Sequence, residues 1–159
     1  SYNKINISLI LMLSPIILFA YKRPFHTYHS LVALTKNKES KDSDLIVYID
    51  GPTNIKELNL IDNVEKIISS FQGKFNSLKI HRAEINKGLA KNIIDGISHE
   101  FNNYESVIIL EDDIIVSTKF LEYTNNALNF YQNDYSVCIL MLLICQLKII
   151  SIQIMCLQD

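Results

Sequence analysis

Apolar residues follow two rhythms along this chain. Four runs have strand length: PIILFA (15–20), LIVYI (45–49), LKIHRA (78–83) and SVIIL (106–110). Between them the apolar positions spread to helical spacing. Phe25, Tyr28, Leu31, Val32 and Thr35 predict an amphipathic helix over 25–37, with Pro24 suited to its first turn. Ile61, Val64, Ile67, Ile68 and Phe71 predict a second helix, which Gly73 can end. Leu89, Ile93, Ile97 and Phe101 predict a third over 89–102. Ser117 can cap a fourth, with Phe120, Leu121, Leu128 and Tyr131 facing inward. The breaks between elements carry turn chemistry: Lys22-Arg23-Pro24, the polar stretch 36–44, Asp50-Gly51-Pro52 and Asn86-Lys87-Gly88. No internal repeat or low-complexity tract interrupts the series.

Strands alternating with helices predict an α/β domain, Rossmann-like, with a mostly parallel sheet flanked by helices. In such sheets ligands bind beyond the carboxyl ends of the strands. Three polar clusters follow directly on predicted strands: Tyr21-Lys22-Arg23, Asp50, and Glu111-Asp112-Asp113. The topology therefore gathers them along one edge.

Composition narrows the function classes. A chain of 159 residues, 48% hydrophobic and 20% charged, is one globular domain's worth of sequence. A formal charge of −2 and a pI near 6.1, with no basic stripe, argue against a nucleic-acid partner. Cys138, Cys145 and Cys156 form no C-x-x-C pair and have no histidine at finger spacing, so they read as incidental thiols. A domain otherwise without cysteine fits a reducing, cytoplasmic setting, peripheral to a membrane at most. Two apolar stretches bear on membrane association. ISLILMLSPIILFA (7–20) is short for a span and contains Pro15, and no small-x-small site follows it as a signal peptide would require. Residues 1–13 are read as a lead-in. VCILMLLICQLKIISIQIM (137–155) is interrupted by Gln146, Lys148 and Gln153.

The acidic triplet stands out. Glu111, Asp112 and Asp113 follow VIIL, and neighbouring carboxylates resist burial unless something positive joins them. A solvated loop is the plain reading. A divalent cation, Mn²⁺ or Mg²⁺, is the sharper one, since hard cations take carboxylate oxygens and leave room for phosphate oxygens. The four glycines, Gly51, Gly73, Gly88 and Gly96, match neither G-x-x-x-x-G-K-[ST] nor G-x-G-x-x-G, which excludes a P-loop ATPase and a dinucleotide-binding domain. A receiver-like, non-catalytic signalling domain with an acidic metal site remains as an alternative. The aspartates after Asp113 are Asp134 and Asp159, too few and too late for a complete receiver. His26, His29, His81 and His99 share no ligand spacing and read as surface or core residues.

Taken together, PIILFAYKRP (15–24), LIVYIDGP (45–52), INKGLAKNIIDGI (85–97) and VIILEDDIIVSTKFLEY (107–123) resemble a nucleotide-sugar glycosyltransferase of the GT-A fold. The likeness is to the N-acetylglucosaminyltransferase I type and its bacterial relatives, and it covers residues 14–137 in the family's order. It implies the nucleotide-binding half of a GT-A domain. The implied enzyme is a metal-dependent glycosyltransferase that moves a sugar from a nucleotide-sugar donor, a UDP-sugar, to a glycan or other hydroxyl acceptor. EDD stands where the family has its D-x-D-type motif. On that analogy Asp113 ligates the metal, while Asp112 and Glu111 support the ribose and the metal's water shell. Asp50 stands where a family acid meets the uracil. Tyr21 and Arg23 occupy the first nucleotide loop, and Asn86 and Gly88 lie in a turn that approaches the donor. Asp50 as a turn residue, Arg23 as a solvated or capping residue, Tyr21 as a structural residue, and Asn86-Lys87-Gly88 as turn chemistry stand beside these roles.

The likeness fades after Val137, where the chain turns into CILMLLICQLKIISIQIMCLQD, without glycine and nearly without charge. Residues 138–159 are therefore expected to be foreign to the family, the product of a frameshift or a truncated frame. In the family the general base lies beyond the matched region, and no residue here is nominated for it.

Overall fold

A computed structural model describes residues 13–131 throughout, together with the backbone of Ile139–Leu143 and Ser151–Met155. Most of the lead-in, the three cysteines and the rest of the tail lie outside the described residues.

Strands β1 (Ile16–Ala20), β2 (Asp44–Ile49), β3 (Ser77–Arg82) and β4 (Val107–Glu111) alternate with helices α1 (Pro24–Thr35), α2 (Leu58–Ser69), α3 (Leu89–Glu100) and α4 (Phe120–Phe130). The strands join one sheet in the order β3-β2-β1-β4, all parallel. Beyond β4 the sheet continues with β5 (Ile139–Leu143), parallel to β4, and β6 (Ser151–Met155), antiparallel to β5. The architecture is the expected α/β, Rossmann-like one, and the chain reverses its order of winding between β1 and β4.

Side-chain alternation builds two cores. Ile16, Leu18, Leu45, Val47, Ile108 and Leu110 face α1, α2 and α4, packing on Leu31, Leu34, Ile61, Val64, Ile68 and Leu121. Ile17, Phe19, Val107 and Ile109 face the other way, onto Ile97 of α3. Both faces of β1 are covered, which is why its five residues are all buried and all apolar.

Three local expectations need correction. In α1 the inward residues are Thr27, Ser30, Leu31, Ala33 and Leu34, whereas Phe25 and Tyr28 are 69% and 46% exposed. Hydroxyls turn the helix that way: Ser30 Oγ donates to the Asp112 carbonyl at 2.9 Å, and Thr27 Oγ1 lies 3.5 Å from Asp112 Oδ2. Ser117 stands two residues ahead of the cap position of α4, its Oγ accepting only the Lys119 N–H at 3.4 Å. Buried Asn37 caps the helix from a distance, its Oδ1 accepting the Leu121 N–H at 3.0 Å while its Nδ2 donates to the Ser117 carbonyl at 3.0 Å. Tyr131 follows the last turn of α4 and is exposed rather than inward.

Candidate functional site

The carboxyl ends of β1, β2 and β4 open into one cavity of about 340 Å³. β1 contributes Phe19, Ala20 and the loop residues Tyr21, Lys22 and Arg23. The end of β2 contributes Asp50 and then Thr53, and β4 contributes Glu111 and Asp112. Asn86, Gly88, Leu89 and Asn92, from the turn before α3 and its first residues, close the remaining side. The cavity thus brings together Tyr21, Arg23, Asp50, Asn86, Gly88, Glu111 and Asp112. Asp113 stands just outside, reached through Arg23.

Asp50 is buried and its four acceptor positions are filled by its own chain. Oδ1 accepts the Gly51 and Lys87 N–H groups, both at 2.8 Å. Oδ2 accepts the Asn86 side-chain amide and the Gly88 N–H, both at 3.0 Å. This carboxylate ties the end of β2 to the 86–88 turn. Two glycines make the tie fit. Gly88 has φ of +80°, in the left-handed region that side chains avoid. A β-carbon on Gly51 would lie 2.3 Å from the Ile85 carbonyl carbon, so only glycine lets the two backbones approach.

The acidic triplet has a different partner. The Arg23 guanidinium spans Asp112 Oδ1 and Asp113 Oδ2, the latter at 2.9 Å. Asp112 is almost fully buried, and its second oxygen accepts the Tyr21 N–H at 3.2 Å. Burial raises the pKa of Asp112, against the pull of Arg23. Burial also raises that of Glu111, with the Asp113 charge adding to it. Asp113 Oδ1 is buried with no hydrogen-bond partner.

Sequence reasoning missed Glu57. It sits at the start of α2, where the helix dipole favours an anion. Its Oε2 accepts from the Tyr21 hydroxyl and from the N–H and hydroxyl of Thr53, each of the latter at 2.9 Å. Its Oε1 receives the Lys22 ammonium. Lys22 first, then Tyr21 and Thr53, hold its pKa down to about 2. An acid opening a predicted helix was the available signal; its two partners in the 21–22 loop are too distant in sequence to be read from it.

Charge decides what the cavity can admit. Its lining and the side chains clasped to that lining contain five carboxylates (Asp50, Glu57, Glu111, Asp112, Asp113) and two cations (Lys22, Arg23), a formal −3. Both cations are already paired. A diphosphate would meet net repulsion unless a cation accompanied it. Among the described residues no three His, Cys, Asp or Glu side chains are grouped to enclose a metal. The buried, unpartnered oxygen of Asp113 fits the other common mode, in which one or two carboxylates share Mg²⁺ or Mn²⁺ with substrate phosphates and water. Among the described residues no helix is long and apolar enough to cross a membrane.

The fold is shared with TarS of S. aureus. A crystal structure of that protein superposes with a TM-score of 0.59 at 19% identity, over 76% of this chain and 20% of that one. A structure of TarS residues 1–349 gives 0.58 at 17% identity, and the same fragment in complex with UDP gives 0.57 at 18%. This chain spans about a third of that fragment. At such identities the likeness establishes the fold. No family model matches the chain, and neither does any curated protein sequence.

Proposed function

We propose that this chain is the donor-binding half of a metal-dependent glycosyltransferase of the N-acetylglucosaminyltransferase I type, taking a UDP-sugar. One observation carries the reading. Three loops remote in sequence converge on a single cavity at the switch point of a parallel sheet, where α/β folds bind ligands, and the cavity's charge demands a cation beside any diphosphate. The solved complex of TarS with UDP, on the same fold, agrees with it.

In this reading Asp113 offers its free oxygen to Mn²⁺ or Mg²⁺. Bound there, the metal would supply a positive charge for the diphosphate that leaves when the sugar is transferred. Arg23 lies beside it as a planar two-pronged donor suited to phosphate oxygens. Glu111 and Asp112 face the ribose and the metal's waters. Asp50 holds the 86–88 turn against the base, and the Asn86 amide is the donor of the four that can leave to admit a base N–H. Gly88 keeps the backbone low where the donor passes. The acceptor is a glycan or another hydroxyl compound.

Calorimetric titration with UDP, with and without Mn²⁺, tests the proposal. Binding should require the metal and should vanish in Asp113→Ala. Metal-independent UDP binding, or unchanged binding in that variant, would overturn the metal role. Metal binding with no affinity for UDP, together with reaction with a small phosphodonor, would favour the receiver-like alternative.

A further inference from the structure

We propose that Glu57 is a positioning residue that sets what the cavity selects: it fixes the Tyr21 ring as a wall for a flat base and withholds the Lys22 ammonium from phosphate. The proposal rests on the donor-binding reading above and names the residue through which that site would prefer a nucleotide to a bare diphosphate.

Glu57 makes two kinds of contact. Its bonds to the Thr53 N–H and hydroxyl are local and close the loop before α2. A carboxylate there could be explained by that loop alone. The Tyr21 hydroxyl and the Lys22 ammonium are different: they reach it across 36 and 35 residues of sequence, and both belong to cavity-lining residues. The phenol is thereby held at its far end, while the Tyr21 N–H is held at its near end by Asp112. A ring fixed at both ends loses little freedom when a base packs on it, so less entropy opposes binding. Lys22 is drawn the same way, its ammonium lying 5.0 Å from the centre of the Tyr21 ring and paired with Glu57. It is therefore not a free phosphate ligand, although it lines the cavity. Phosphate affinity is left to Arg23, whose guanidinium has five N–H donors and gives Asp112 and Asp113 only some of them, and to whatever cation joins Asp113.

Glu57→Gln keeps the shape and the bonds to Thr53 within reach but loses the charge that holds Lys22. The two roles then separate. Metal-free pyrophosphate should bind more tightly to Glu57→Gln than to the unaltered protein, by about fivefold, because an ammonium is released toward it, and the gain should vanish when Lys22→Met is added. The amide oxygen of that variant still accepts the Tyr21 hydroxyl, so the hold on the ring is tested at the other partner. Tyr21→Phe, which keeps the ring and Glu57 but removes the bond between them, should weaken UDP with Mn²⁺ by about tenfold and leave pyrophosphate unchanged, and it serves as the second variant should Glu57→Gln fail to fold. Unchanged or weaker pyrophosphate binding in Glu57→Gln, a gain that persists without Lys22, unchanged UDP binding in Tyr21→Phe, or weaker pyrophosphate binding in Tyr21→Phe would each overturn the proposal. Should the unaltered protein bind no UDP at all, the donor reading falls on that result. The pyrophosphate comparison would then still decide whether Glu57 withholds Lys22.

Discussion

Asp50 and Asp112 are both buried aspartates at the ends of parallel strands, yet they are neutralised in opposite ways. Asp50 is held by four N–H groups of its own chain, three of them from the backbone. Asp112 takes one backbone N–H, from Tyr21, and is otherwise held by a side chain, the half-exposed Arg23, which it shares with Asp113. Backbone donors cannot leave without unmaking the loop, whereas a guanidinium can turn to another anion. The β2 end is therefore built as a joint, with the Asn86 side-chain amide its one donor free to leave, and the β4 end as an exchangeable ion pair.

Substitutions can break that contrast, and the largest effect is expected at the joint. Asp50→Ala strands several buried donors at once and should cost about 3–5 kcal/mol in urea unfolding, taking UDP binding with it. Gly51→Ala forces the 85–88 segment away from β2 and should cost about 2–3 kcal/mol in the same measurement. Arg23→Gln leaves Asp112 buried without its cation. The cost should be smaller, about 1–2 kcal/mol, because the guanidinium is partly in solvent, while UDP affinity falls at least about tenfold. Asp113→Ala should change stability by less than about 1 kcal/mol yet abolish the metal-dependent part of UDP binding, which separates the exchangeable end from the joint. A large stability loss in Asp113→Ala would erase the distinction.

The smallest expected effect is in acid. Glu57 has a folded-state pKa of about 2, below its ordinary value, so its stabilising contribution is complete above about pH 4.5 and fades as pH falls toward 2. Burial raises the pKa values of Asp112 and Glu111, so their contribution has the opposite sign: it grows as pH falls through their raised range. Unfolding curves of Glu57→Gln against pH should lose the first trend and keep the second.

Much of this was legible in the residues. Four strands and four helices follow from apolar spacing alone, because each strand and helix buries one or two faces in the two cores. The convergence of Tyr21, Arg23, Asp50 and the acidic triplet follows from parallel strands ending on one side. What spacing could not carry was which way a helix turns when hydroxyls bond a distant loop, as Thr27 and Ser30 do. Nor could it carry which donors would satisfy a given acid. Asp50 read as a turn residue or a ligand contact, and the geometry places it as the clamp between two turns. Glu57 is legible as an acid ahead of a helix but not as a site residue, because its partners Tyr21 and Lys22 lie far back in the chain.

The same distance matters for Asn37. The amide that completes the first turn of α4 arrives from a loop 84 residues upstream, so the start of that helix is secured by tertiary packing and not by its own sequence. Cut free as a peptide of 104–131, the helix should be lost altogether, since its eleven residues are too few to hold one alone.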